Sequence, residues 1–406
     1  MSLSKPPRDV ELKIIREKHQ QIPEILHEHD IECWIVFIRE TAATPDPVQP
    51  LVLGGDVVWQ SAFIFSLKNK VFTKTAIVGN YDAPEEKNKG LWDKVIAYKE
   101  GISAPLKEYI LALGPKNIAL NYSIDDVTSD GITHGMFLTI SEILENYTQK
   151  FVSAAPIIQA LRGRKSKTEI DLVTKACELT EDIYERIGSQ VKIGMSETEI
   201  QQMFHNEMDR LGVTEAWHRG HCPAVDTGPD KEIGHAGPLP DNKVKYGHTL
   251  HYDFGIKRYG YCSDIQRMYF FGSREDIPEE LHHAFNTVYH AITLAAEYIK
   301  PGVPGYKVDK VARDYVKEQG YEEYGHALGH QVGTQAHDGG TLLGPLWERY
   351  GDIPKGKVEQ NQIFTLELHV NTENYGAVSL EEDIVITEDG CRFLVPRQKE
   401  FITIEK

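Results

Sequence analysis

Apolar and polar residues alternate over Leu250–Phe254, where Leu250, Tyr252 and Phe254 interleave with His251 and Asp253. A period of two marks a half-buried strand and puts Asp253 on the face away from the apolar set. The chain turns near Arg258 and Tyr259 and resumes as Gly260-Tyr261-Cys262-Ser263-Asp264. Folding about that turn predicts a hairpin with Asp264 directly opposite Asp253, where Cβ atoms lie ~5 Å apart and like charges repel. A bound cation removes the conflict. The arrangement recurs later, where IFTLELHV (363–370) and VSLEEDIVIT (378–387) are strand-like runs, and folding about Asn374 opposes Glu367 to Glu381. Between the two hairpins in sequence lies GHALGHQVGTQAHD (325–338), three histidines on a glycine-rich segment. Four carboxylates and one imidazole match two divalent cations in charge and in ligand hardness, which makes one dinuclear site.

The rest of the pattern predicts two domains, 1–157 and 158–406. In the first, residues 11–29 read as a helix, 32–38 as a strongly apolar strand, and 62–67 and 71–78 as consecutive strands after a Pro- and Thr-rich loop (41–55). A short strand at 117–121 and a helix near 135–145 complete an α/β domain in which no chemistry is legible. A basic junction ending in Arg164-Lys165-Ser166-Lys167 leads into a helix from Glu169 to Val191, with an apolar stripe at Leu172, Val173, Ala176, Leu179, Ile183 and Ile187. Ser196-Glu197-Thr198-Glu199 is a capping box and Gly212 a helix stop. Helices at 279–299 and 308–318 alternate with the hairpins, so the second half is α+β.

Charge narrows the function. A net charge of -17 over 406 residues leaves no basic face for nucleic acid or an anionic membrane, while peptides and small polar substrates stay open. The five cysteines show no C-x-x-C spacing, which argues against a structural zinc or a disulfide framework and for a reducing, cytoplasmic setting. No run approaches the ~18 apolar residues of a membrane span. His326 and His330 stand four apart, yet Ala327 replaces the glutamate of a single-zinc protease helix, and neither a G-x-S-x-G elbow nor a phosphate-binding loop is present.

Each acid alone reads as a solvated surface residue; the joint pattern does not, and it carries a resemblance. Asp253-Phe254-Gly255, Gly260-Tyr261-Cys262-Ser263-Asp264-Ile265-Gln266-Arg267, Gly329-His330, Phe364-Thr365-Leu366-Glu367 and Glu381 resemble the motifs of the pita-bread metallopeptidases, the family of methionine aminopeptidase, aminopeptidase P and prolidase. The resemblance covers roughly 161–390. It implies an α+β chain with a C-terminal pita-bread catalytic domain, and the N-terminal half is similar to the α/β domain of creatinase-type relatives. It implies that Asp264 and Glu381 bridge two metals, that Asp253 chelates one, and that His330 and Glu367 hold the other. The ions would be Mn(II) first, with Co(II), Zn(II) or Fe(II) able to serve. Their bridging hydroxide would attack the N-terminal peptide bond, as in Xaa-Pro aminopeptidase or Xaa-Pro dipeptidase, with Glu367 shuttling the proton. His235 and His337 match substrate-side histidines of the family, Arg267 would orient a bridging carboxylate from behind, and a homodimer is implied.

Three positions depart from the family pattern. Ser379 stands where aminopeptidase P and prolidase have arginine, Leu368-His369 replaces Pro-Gly, and His248 replaces a common aspartate. These changes touch the leaving-group side and open a second reading, a hydrolase or lyase of a small polar metabolite on the same ligands. A metal-free binding module is a third, opposed by the intact ligand set.

Overall fold

Every residue of CWIVFI, strand β1 (Cys33–Ile38), is buried, as expected of a strand at the centre of a sheet covered on both faces. It lies in a computed structural model that describes residues 3–229 and 237–405. The chain divides into two compact units, one of Pro7–Arg162 and one of Gly163–Lys406 with Met1–Pro6.

In the unit Pro7–Arg162, β1 is joined by β2 (Ser61–Lys68), β3 (Val71–Gly79), β4 (Lys94–Tyr98), β5 (Ile118–Leu120) and β6 (Phe151–Ser153). The order is β4-β3-β2-β1-β5-β6, antiparallel across β3-β2-β1 and parallel elsewhere. Successive residues of β1 feed two cores. Trp34 and Val36 join Ile22, Ile25 and Leu26 of helix α1 (Arg8–Glu28). Ile35 and Phe37 join residues of two later helices on the other face. Helices α2 (Gln49–Val52), α3 (Ala83–Lys89), α4 (Ser103–Leu113), α5 (His134–Ile143) and α6 (Ala155–Gly163) complete the unit. Of these, α2, α3 and α4 carry too little apolar periodicity to be read from sequence, and α6 occupies the stretch before Arg164 that reads as a polar, basic junction. Two of them end on a left-handed glycine, Gly90 after α3 and Gly114 after α4.

The larger unit opens with α7 (Lys167–Gly188) and α8 (Glu197–Leu211), each started by a serine capping box, with Gly212 closing α8 at φ 70°. Strands β7 (Thr214–Glu215), β8 (Ala224–Thr227), β9 (Thr249–Phe254), β10 (Ile256–Arg258), β11 (Tyr261–Cys262) and β12 (Ile265–Phe271) follow. After α9 (Glu279–Tyr298) and α10 (Gly305–Glu318) come β13 (Ile363–Asn371), β14 (Ala377–Ile386), β15 (Cys391–Phe393) and β16 (Ile402–Ile404). The main sheet runs β13-β14-β12-β9-β8, with β15 on β14 and β16 on β12. Its helices cover one face. Tyr184 of α7 and Phe204 of α8 pack on Tyr252 and Phe254 of β9, and Leu281, Phe285 and Val288 of α9 share a core with Leu366, Leu368 and Leu380. Because strand side chains alternate, Asp253, Glu367 and Glu381 are left on the opposite face. All five cysteines are free.

Candidate metal centre

Cross-strand register decides which acids meet. Glu367 pairs with Glu381, as folding about Asn374 predicts. The first hairpin differs from expectation. Its turn is Tyr259-Gly260, both left-handed at φ 50° and 81°, flanked by the pair Arg258 and Tyr261. A two-residue turn with both φ positive suits the strand twist. Asp253 therefore faces Gln266, and Asp264 lies two residues nearer the turn, in the break between β11 and β12. The displacement is two residues, so Asp264 keeps the face that a shift of one would have lost. Gln266 pairs in turn with Glu381, which joins the two hairpins into one carboxylate row.

His330 reaches this row from a segment laid along β13. Thr365 N–H donates to the His330 carbonyl (2.9 Å), Glu367 N–H to the Leu328 carbonyl (2.7 Å), and His330 N–H to Thr365 Oγ1 (3.2 Å). Gly329 makes the close approach feasible, since a Cβ there would lie 2.0 Å from the Thr365 carbonyl oxygen. Ligand atoms of Asp264, His330 and Glu381 lie within 4.8 Å of one another. His330 Nε2 is 3.5 Å from Glu367 Oε1 and 3.8 Å from Asp264 Oδ2. Its Nδ1 is 3.4 Å from the Gln331 carbonyl, which can only accept, so the proton sits on Nδ1 and the Nε2 lone pair faces the acids.

That geometry is repulsive without a cation. Burial, reinforced by Asp253, Asp383 and Glu367, pushes Asp264 well above the carboxylate range. Burial and the charges of Asp264, Glu367 and Asp253 do the same to Glu381. Burial lifts Glu367 to about 7 against the opposing hydrogen bond from Gln266. His330 is pushed down to about 3 by burial and by His337. Among the described residues no lysine or arginine pairs with Asp264, Glu367 or Glu381, and the buried Glu381 Oε2 has no hydrogen-bond partner. Oxygen-rich donors with one neutral imidazole, and an orphaned buried oxygen among them, fit divalent cations.

The other expected residues fall as follows. Exposed His337 sits edge-on to His330 with ring centroids 4.3 Å apart. His235 lies outside the described residues. Arg267 is buried, and among the described residues its guanidinium bonds no carboxylate of the row. It donates to the Glu381 backbone carbonyl (3.1 Å) and pairs with Glu382 (3.1 Å) and Glu181, so it props the strand that carries Glu381 and does not bond its carboxylate. Ser379 is buried, its hydroxyl 2.5 Å from Gln266 Oε1, and His369 stacks on His326 at 5.2 Å. Sequence reasoning missed Gln266, whose Nε2 lies 3.3 Å from Glu367 Oε2, and the buried His251 and Asp226 behind it. Each sits on a strand beside other polar residues, and no local pattern singles it out.

Comparison with known proteins agrees with this geometry. Residues 171–388, more than half of the chain, match metallopeptidase family M24. The Xaa-Pro dipeptidase of Pyrococcus furiosus is 28% identical over 291 residues, 69% of this chain and 78% of that protein. An uncharacterised peptidase of Bacillus subtilis is 29% identical over 68% of this chain and 73% of its own. Among solved structures, an X-Pro aminopeptidase of Thermotoga maritima superposes with TM-score 0.72 at 24% identity, covering 94% of this chain and all of that one. An Xaa-Pro dipeptidase of Bacillus anthracis reaches 0.74 at 21% identity over 96% of this chain and 100% of its own. The fold is the pita-bread fold of these enzymes. With the profile match spanning both hairpins and the histidine between them, the chain belongs to metallopeptidase family M24, whose members are divalent-metal-dependent peptidases.

Proposed function

We propose that this peptidase is an exopeptidase of Xaa-Pro aminopeptidase or Xaa-Pro dipeptidase type, hydrolysing the N-terminal peptide bond with two divalent ions. Asp253, Asp264, His330, Glu367 and Glu381 would hold them, with Mn(II) favoured because oxygen donors dominate and Co(II), Zn(II) or Fe(II) able to substitute. The observation that carries the reading is the His330 Nε2 lone pair turned onto carboxylates that have no lysine or arginine partner among the described residues. The names of the Pyrococcus and Thermotoga relatives support the substrate class.

Bound there, such ions supply Lewis acidity and a water of lowered pKa. The chain's own groups do the rest. Glu367 Oε2 is engaged by Gln266, which leaves Oε1 to take the proton of the attacking water and pass it to the leaving nitrogen. His337, exposed beside His330, would donate a hydrogen bond to the developing oxyanion, and His235 is assigned the same task from the resemblance. Burial of Asp264 and Glu381 excludes bulk water behind the reacting centre.

The test is chelation followed by metal analysis and activity assays with Mn(II), Co(II), Zn(II) and Fe(II) on X-Pro dipeptides and longer X-Pro peptides. Two specifically bound ions and metal-restored X-Pro cleavage are expected. Full activity in chelator with no specific metal overturns the reading. Ser379 favours a second one, because the position that holds a long cation in proline-specific relatives is here a buried hydroxyl. A metal-replete enzyme inert on every peptide but active on small amides would select a metabolite hydrolase or lyase.

A further inference from the structure

Next to the carboxylate row the same sheet face carries a second one, two residues along each strand. Asp226 pairs with His251 between β8 and β9, and His369 pairs with Ser379 between β13 and β14. Gln266 stands in the first row, paired with Asp253 and Glu381, and its side chain also reaches the second. Its amide orientation follows from chemistry: the Glu367 carboxylate can only accept, so the group 3.3 Å from Oε2 is the Gln266 NH2. Gln266 Oε1 then accepts from Ser379 Oγ–H at 2.5 Å and from His251 Nε2–H at 3.0 Å. His251 Nδ1 is held in turn by Asp226 Oδ2 at 3.0 Å. Asp226, His251, Gln266 and Ser379 are all buried, so none of these bonds competes freely with water.

The bonds converge on a single output. The Glu367 main chain is tied to Leu328, but its head is reached, among the described residues, by the one hydrogen bond from Gln266. We propose that Asp226, His251, Gln266 and Ser379 form a bracket that fixes the Glu367 carboxylate, with Gln266 as the positioning residue. Ser379 then has a task of its own: a hydroxyl in place of a long side chain is short enough to lock the Gln266 carbonyl. His251 locks it from the other side, and its own ring is oriented by Asp226. The inference rests on Glu367 being a metal ligand and proton carrier.

The experiment combines Gln266→Met, Ser379→Ala and the double variant, each in the full chain. Mn(II) affinity is measured by titration calorimetry and kcat and KM on an X-Pro dipeptide, with thermal melting as the check on folding. Gln266→Met should weaken Mn(II) binding or lower kcat by roughly 10–100-fold with KM little changed, the usual cost of losing a group that orients a metal ligand. Ser379→Ala should shift the same quantity several-fold, and it should add nothing in the Gln266→Met background, because its effect passes through that amide. Independent, multiplying effects would overturn the bracket, as would a folded Gln266→Met enzyme with wild-type affinity and kcat. If Gln266→Met does not fold, Ser379→Ala decides alone, and an unchanged affinity and kcat would overturn the proposal. Wild-type protein that binds no Mn(II) would instead remove the ligand role of Glu367, separating that failure from failure of the bracket.

Discussion

Metal-free protein should lose stability as the pH rises through neutrality, and Glu367 allows the loss to be sized. Its ordinary value is 4.5, and burial raises it to about 7 in the folded chain. The folded state thus binds this proton more tightly than the unfolded state. Its contribution is complete below 4.5 and disappears as the pH climbs past about 7. Across that gap the loss reaches roughly 3 kcal/mol at pH 7.5 and stays under about 1 kcal/mol at pH 5. A fifth of the Glu367 side chain still meets solvent, so these are upper figures. The assay is urea unfolding in chelator of wild type and Glu367→Gln at both pH values. Relative to wild type, the variant should gain about 2 kcal/mol between pH 5 and pH 7.5, and somewhat more because removing the Glu367 charge also eases the ionisation of Asp264 and Glu381. Saturating Mn(II) should reverse the ranking, since the variant has lost a ligand and ligation stabilises only the folded chain. A stability difference that does not change with pH, or one that favours wild type at pH 7.5 in chelator, would refute the reasoning.

Three further outcomes are expected. Glu381→Gln should reduce Mn(II) stoichiometry below two by calorimetry, because the residue lies at the centre of the carboxylate row and a neutral amide takes away a negative charge and an anionic oxygen proposed to hold both ions. Gly329→Ala should destabilise by about 1–3 kcal/mol or more and weaken Mn(II) binding, since the new Cβ meets the Thr365 carbonyl at 2.0 Å, whereas Gly325→Ala, with open space around it, should do neither. Arg267→Met should cost about 3–5 kcal/mol in urea unfolding by leaving Glu382 buried and unpaired, and part of the loss should return in Arg267→Met/Glu382→Gln.

The pairing of Glu367 with Glu381 was legible because the strands flanking Asn374 are long, and a symmetric fold about their midpoint leaves little choice. The capping boxes at Ser166 and Ser196 and the left-handed Gly212 are local chemistry; the last two were read directly. The first hairpin was less legible because its turn depends on a tyrosine, Tyr259, taking φ 50°, which residue type alone does not announce. The partners of Arg267 were not legible because one of them, Glu181, comes from α7, far back in the chain. Asp226, His251 and Gln266 escaped notice for the same reason: they meet only once β8, β9 and β12 have paired.

That long-range assembly bears on how the protein comes apart. Each hairpin closes over a short stretch of chain, but the joint between them brings together Arg267 and Glu381, 114 positions apart. Contacts of such separation form late in folding, after the entropy of a long loop has been given up. Cations held across β9, the break between β11 and β12, β13 and β14 would staple that joint after it has formed, so their stabilisation should appear as slower unfolding, with refolding little changed.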